Sequence, residues 1–325
     1  MIFIFFQTAY SYCDFMCQDL VDRKDTFLLK PFNRKPYSSL DFLYGIYRKT
    51  MGSKKRIFDN FWYSYFLHFK KFSREEKLVF LFFDSSFLTD DCRFHQWLTR
   101  MYPKSKQILL IMNPIQNDEF IVKKYNNLFR TIFTFDPFDA VKYQWFYFFG
   151  LMPSSWPDTP VKRKYDIAFI GHDKGRYELI KNIYLVLKEK GLKCFFHVVS
   201  DRVPIDSIDS EIIRNTRISY NDILRIDCNS NCILDIAITL DCRQGLSLRP
   251  FEAIYSNSRL ITNNMYVREV QYFSNKEVIY FNDVDSLKHL DSSIFSKVFV
   301  ANYEKTFDFS PNKLLELITK TEDIL

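Results

Sequence analysis

Glycine is scarce here, with 7 among 325 residues. No stretch reads as a Walker-type loop or as the G-x-G-x-x-G dinucleotide fingerprint, so neither of those nucleotide sites is expected. No run of about twenty apolar residues occurs, which excludes a helical membrane span. The apolar opening MIFIFFQTAY lacks a basic leading segment and its run stops at Gln7, so it reads as a buried strand rather than a secretory signal. The seven cysteines (13, 17, 92, 194, 228, 232, 242) are odd in number and scattered, without a CxxC pair. That pattern points to unpaired thiols in a reducing cytosol, although the two four-residue spacings, 13/17 and 228/232, would put thiols on one face of a helix. Net charge is small as well. A formal +6 suits contact with phosphates or an anionic membrane surface. Without a recognition-helix or RNA-binding pattern, nucleic acid is left out of the expected partners.

Apolar and aromatic residues are plentiful. At 47% apolar the chain can bury a large core, and its length fits two domains. The 35 Phe and 20 Tyr are read as the mark of an A/T-rich coding sequence rather than of a function. Short apolar runs recur at IFIFF (2–6), KLVFLFF (77–83), KQILLIM (106–112) and RTIFTF (130–135), with helical patterns at 90–102 and 119–129 between them. Continuous runs of this length suit parallel strands covered on both faces. The Pro-rich stretch GLMPSSWPDTPVKRK has no periodicity and reads as a linker. A second series follows: YDIAFIG, a helix closed by Gly191, KCFFHVVS, then NCILDIAI, RLIT and EVIYF, with a last helix begun by Pro311. The expected fold is α/β, two Rossmann-like domains facing a cleft. The boundaries are 1–150, a linker at 151–164, 165–305, and a closing helix at 306–325 that packs back on the first domain.

Two places in the second domain carry chemistry. In YDIAFIGHDKGRYELI a strand ends at Gly171, and Lys174, Gly175 and Arg176 open a helix. A helix N-terminus flanked by cations suits a phosphate. In QGLSLRPFEAIYSNSRLIT a loop leads through Pro250 into a helix. Gly245 lets a ligand approach the main chain, Gln244 can bond sugar hydroxyls, and Arg249 brings charge for a pyrophosphate. Glu252 near the helix start can accept two adjacent hydroxyls, as on a ribose.

The segment ISYNDILRIDCNSNCILDIAITLDCRQGLSLRPFEAIYSNSRLITNN resembles the donor-binding half of GT-B-fold glycosyltransferases, in particular bacterial enzymes of surface-polysaccharide (capsule, exopolysaccharide) and lipopolysaccharide assembly. The likeness spans roughly 165–265. It implies that Glu252 holds the ribose of a sugar nucleotide, that Gln244, standing where the family has Glu, faces the transferred sugar, and that GHDKGR is the phosphate-binding turn. His172 replaces a position often basic in the family, and the base lies against the chain near Ile218–Tyr220. The implied reaction moves a sugar from a nucleoside diphosphate to a glycan or lipid-linked acceptor at the inner face of the cytoplasmic membrane, with no cofactor and no metal. DFD at 307–309 has metal-ligand spacing but sits near the end of the chain. The first domain then serves the acceptor.

An inverting reaction needs a base from that domain, with Asp84 the first candidate, Asp136 the second and His95 the third. The segment 44–74 carries eight Lys/Arg against one Asp, interleaved with aromatics. It reads either as a solvated helix pair with an aromatic core or as a membrane-surface patch. Gln in place of Glu at 244 also keeps two other readings open: a non-catalytic GT-B-like binding subunit, and a transferase of a polyol-phosphate group.

Overall fold

The structure, a computed structural model, describes residues 1–7, 11–30, 39–51, 58–115, 118–214, 216–237, 246–269, 278–296 and 309–324. The chain divides into two compact units, one of Met1–Ser154 with Phe309–Leu325 and the other of Ser155–Asp308.

The first unit is built on strands β1 (Ile2–Phe6), β2 (Thr26–Leu29), β3 (Leu78–Phe83), β4 (Lys106–Ile111), β5 (Thr131–Thr134) and β6 (Phe146–Tyr147). They pair in parallel in the order β2-β1-β3-β4-β5-β6. Every residue of β3 and of β5 is buried, as continuous apolar runs require when helices cover both faces. The core is aromatic. Phe82 stacks on Phe6 at 4.8 Å between ring centroids and meets Phe129 at 5.6 Å, while Phe94 approaches Phe6 edge-on at 5.4 Å. Such offset and edge geometries contribute about 0.5–1.5 kcal/mol per pair beyond area burial. The last helix, Pro311–Ile324, belongs to this unit and buries Leu314, Leu315 and Ile318.

The second unit holds β7 (Tyr165–His172), β8 (Cys194–Val199), β9 (Ser230–Asp235), β10 (Arg259–Thr262) and β11 (Val278–Tyr280), again parallel, in the order β11-β10-β9-β7-β8. The chain first steps outward from β7 to β8, then crosses to β9 and runs the other way. The reversal falls between β7 and β9, and open α/β sheets take ligands beyond the carboxyl ends of the strands at such a point. Its core is mainly aliphatic, with Ile167, Ile183, Leu187, Leu234 and Ile261 packed among fewer aromatics such as Tyr184 and Phe196.

Several elements differ from the sequence reading. The Asp/Ser-rich stretch after β8 is not all loop. Asp206 accepts from the Asp209 amide at 2.7 Å and so caps a short helix, Ser207–Ile212. ISYNDILRI forms the helix Tyr220–Cys228, whose Ser219 side chain caps the Asp222 amide. β2 and β6 are too short to announce themselves by periodicity. Cys228 ends a helix while Cys232 lies in β9, so that pair shares no helix face. The DFD run falls largely outside the described residues.

Phe82 has ring contacts on both sides of its strand position, so Phe82→Ala is expected to cost the first unit about 3–5 kcal/mol. Urea unfolding followed by tyrosine and tryptophan fluorescence checks this, and a loss below about 1 kcal/mol would mean that the cavity closes by repacking.

Candidate functional site

The turn after β7 is tight. The Arg176 amide donates to the Asp173 carbonyl at 2.9 Å, and the two residues between, Lys174 and Gly175, have φ of 46° and 82°. Gly175 suits a left-handed position, whereas Lys174 is held there against the preference of a residue with a Cβ. The turn is fastened from below: Asp173 accepts from Ser200 Oγ and from the Gly175 amide at 3.3 Å. Lys174 is therefore displayed at the start of the helix Tyr177–Glu189, whose N-cap residue, Arg176, makes no side-chain cap. A helix start without a side-chain cap and an exposed cation three residues before it are components of an anion site. His172 ends β7, and its imidazole is held below its ordinary value by partial burial and then by Arg217 and Lys174. A neutral ring at neutral pH adds no second fixed charge beside Lys174.

The second element is the helix Arg249–Tyr255, with Pro250 in its first turn. Glu252 is 1% exposed. Its Oε1 accepts from the Tyr220 hydroxyl at 2.8 Å, and its Oε2 accepts from Arg249 Nη1 at 2.5 Å. Arg249 Nη1 also lies 3.6 Å from Asp227 Oδ2, and Nη2 donates to the carbonyl of Ile170 in β7. Arg249 is thus not a free cation at the loop edge. Its guanidinium joins the helix start to the carboxyl end of β7, with side-chain exposure of 16%. Burial by itself lowers the Arg249 pKa, but Glu252 and Asp227 outweigh it and the group stays charged.

A parallel tie runs the other way. Arg176 Nη1 donates to the carbonyl of Ile236, just past β9. Two arginines therefore cross the β7–β9 reversal in opposite directions, one from each candidate turn. The residues singled out in the sequence around Gly171–Arg176 and those at Tyr220, Arg249 and Glu252 are brought together there. Gln244 and Gly245 lie outside the described residues.

Sequence reasoning missed two buried acids of this site. Asp227 is 1% exposed, and neither carboxylate oxygen has a hydrogen-bond partner among the described residues. Burial, then the neighbouring Glu252, push its pKa well above the ordinary carboxylate range. Asp235 ends β9 directly opposite Thr262 of β10. It accepts from Thr262 Oγ1 and from Ser247 Oγ, each at 2.9 Å, and burial again raises it. The signals were present. Asp227 falls on the buried stripe Tyr220–Leu224–Asp227 of its helix, and Asp235 interrupts an apolar strand.

The base candidates of the first unit differ in what holds them. Asp84 follows β3, accepts from the Met112 amide at 3.3 Å, and leaves Oδ1 without a partner among the described residues. Burial raises its pKa. Asp136 instead caps the helix Pro137–Tyr143 through the Asp139 amide at 2.9 Å. His95 is buried with both ring nitrogens engaged, Nδ1 with Gln107 and Nε2 with the Thr89 carbonyl. Core packing therefore accounts for His95, whereas Asp136, like Asp84, keeps one carboxylate oxygen without a partner among the described residues and a pKa raised by burial.

Because Arg249 and Glu252 are a buried pair, Glu252→Ala is expected to cost about 3–5 kcal/mol of stability in the second unit, since it strands the guanidinium. Asp227 behaves oppositely. A carboxyl whose folded pKa is raised stabilises the fold at low pH, and that contribution is lost as pH rises from the ordinary carboxylate value of about 4 toward the raised one. The urea midpoint of Asp227→Asn should consequently fall less than that of the parent between pH about 4 and 7. Equal pH slopes for the two would show that Asp227 is ionised in the fold.

No family model matches this sequence, and no curated protein matches it. Among solved structures the chain is similar to an alpha-glucosyltransferase in complex with UDP-glucose and DNA containing an abasic site, with a TM-score of 0.57 and 12% identity, over 98% of this chain and 99% of that one. It is similar also to alpha-glucosyltransferase in complex with UDP and a 13-mer DNA containing a central A:G mismatch, at 0.56 and 13%, over the same shares of each chain. Both of those proteins hold DNA, which overturns the exclusion of nucleic acid drawn from modest charge and a missing recognition motif. Proteins of this fold thus include ones that hold DNA. At so low an identity the likeness shows architecture: the chain has the α/β fold of two Rossmann-like domains, the GT-B type.

Proposed function

We propose that this chain is a glycosyltransferase using a nucleoside diphosphate sugar as donor. The observation that carries the reading is the tie from the Tyr220–Glu252–Arg249 cluster, through Arg249, to the Ile170 carbonyl near the end of the strand that leads into the Lys174 turn. In the reaction the bond between the anomeric carbon and the β-phosphate oxygen breaks, and an acceptor hydroxyl oxygen bonds that carbon. The hydroxyl proton passes to a base, and a nucleoside diphosphate leaves with its added charge. Stabilising that departing charge is the demanding step, and Lys174 with the amides of the helix at Tyr177 supplies a fixed cation and a dipole for it. The reading keeps the donor site free of metal and cofactor and assigns the proton to Asp84, whose burial shifts it in the direction a base near neutral pH needs.

Glu252 is the ribose-facing carboxylate in this reading. Arg249 and Tyr220 hold it rigid, so that a diol meets a preorganised acceptor. Glu252→Ala is a poor probe of that role because it also breaks the fold's ion pair, and Tyr220→Phe is the cleaner one.

The acceptor we assign is a glycan or lipid-linked glycan of a bacterial surface polysaccharide. The DNA in both similar structures favours a second reading, in which DNA is the acceptor.

With UDP-glucose as first donor, the protein should release UDP slowly without acceptor, also in the presence of EDTA. Lys174→Ala should lower kcat/KM about 10–100-fold and Tyr220→Phe about 10-fold. Labelled sugar appearing on duplex DNA, or on a lipid-linked glycan, decides the acceptor. Tight nucleotide binding with no release and no transfer over a panel of sugar nucleotides would replace the enzyme by a binding subunit.

A further inference from the structure

The segment 44–74 is not absorbed by the donor site. Its two described helices, Ser39–Met51 and Asp59–Phe66, run antiparallel: Tyr44 meets Phe66 at 4.9 Å and Trp62 at 5.2 Å, while Tyr47 meets Phe58 at 6.4 Å. Tyr44, Tyr47, Trp62, Tyr63 and Phe66 are buried, so the hairpin has its full apolar face against the first unit's core. It nevertheless carries a second apolar set outward. Phe42 is 64% exposed, Phe58 58% and Phe69 54%, and Leu43, Ile46 and Phe61 are exposed with them. An ordinary surface helix has one apolar stripe and a polar back. Six exposed large apolar side chains on one hairpin, with Phe61 and Phe69 in ring contact, exceed what scattered surface residues explain.

The backbone adds an independent sign. The second helix ends with the Phe69 amide on the Ser64 carbonyl and the His68 amide on the Tyr65 carbonyl, both at 2.8 Å. His68 and Phe69 have φ of 52° and 53°. That closure normally takes glycine or asparagine, and a bulky aromatic in the left-handed region is uncommon. Here it stands Phe69 outward, 5.9 Å from the Phe61 ring. Cations flank the set. Lys49 lies one and two helical turns beyond Ile46 and Phe42 on the same stripe, and Lys70 and Lys71 follow Phe69; all three are exposed. Three acids nearby are engaged: Asp59 with the Tyr47 hydroxyl at 3.0 Å, Glu75 with Lys104, and Glu76 with the Ser73 amide at 2.6 Å.

We infer that this outward face docks the protein on an anionic lipid bilayer, with the apolar side chains entering the headgroup layer and the lysines meeting lipid phosphates. A nucleic-acid backbone rewards the cations but gives no return for six apolar side chains, so lipid is the better match. The inference stands apart from the donor site and does not require any particular acceptor.

The test is co-sedimentation of the full chain with vesicles of phosphatidylcholine alone or with about 30% phosphatidylglycerol. Binding to the anionic vesicles and release by salt are expected. Phe58→Ser/Phe61→Ser/Phe69→Ser should weaken that binding at least about ten-fold, and Lys70→Glu/Lys71→Glu about ten-fold, with unchanged far-UV circular dichroism. Should the triple variant misfold, the lysine variant decides by itself. No sedimentation with anionic vesicles, or equal sedimentation of parent and variants, overturns the inference. Capture of duplex DNA in place of vesicles overturns it as well. So does a parent dimer in sedimentation velocity that the phenylalanine changes dissolve without altering vesicle binding. UDP release in solution reads the donor site separately, so the two proposals fail independently.

Discussion

A single buried guanidinium organises the second unit. Arg249 opens a helix, holds the carboxylate one turn along that helix, faces a second acid on the helix Tyr220–Cys228, and reaches the main chain of β7. A charge so deeply placed is tolerable only because several oxygens converge on it. The same convergence sets the position of Glu252 to within a hydrogen bond and leaves little freedom for its side chain. Arg176 performs a complementary task by binding the chain beyond β9, so that the two strands flanking the reversal are tied through side chains as well as through their ladder.

Buried acids give this site its electrostatic character. Asp227 has no hydrogen-bond donor among the described residues, and Asp235 has two hydroxyl donors. Both are raised by burial, so the cationic side of the site is not neutralised in full by its own carboxylates. The first unit contrasts with this. Its core is a mass of interlocked phenylalanine and tyrosine rings, and Asp91, Asp118 and Asp136 serve there as helix caps.

Much of the architecture was legible before any coordinates. Continuous apolar runs bounded by polar helical patterns can hardly be anything but buried parallel strands, and RLIT and the Pro311 helix fall where their patterns begin. The turn at Lys174–Gly175 was legible because a glycine stands between the end of an apolar strand and a helical pattern, and Gly175 does take a positive φ. Short elements were not legible. A two-residue strand or a four-residue one has no period to detect, and the helix at Ser207 looked like a loop because its capping residues are also loop residues. The exclusion of nucleic acid failed for a different reason: overall charge and a missing motif say little about a fold whose solved examples include proteins holding DNA.

Local chemistry in the chain determined which residue types stand at the two candidate turns, where the strands and long helices lie, and that two α/β halves follow one another. Tertiary structure alone decided the partners. Arg249, expected to await a pyrophosphate, is committed to Glu252 because helix spacing sets them one turn apart and burial leaves the guanidinium no water to prefer. Asp227 and Asp235 acquired meaning only when packing removed them from solvent. The aromatics of the first hairpin were divided into an inner and an outer set by the direction in which each helix faces its neighbour, something composition cannot express.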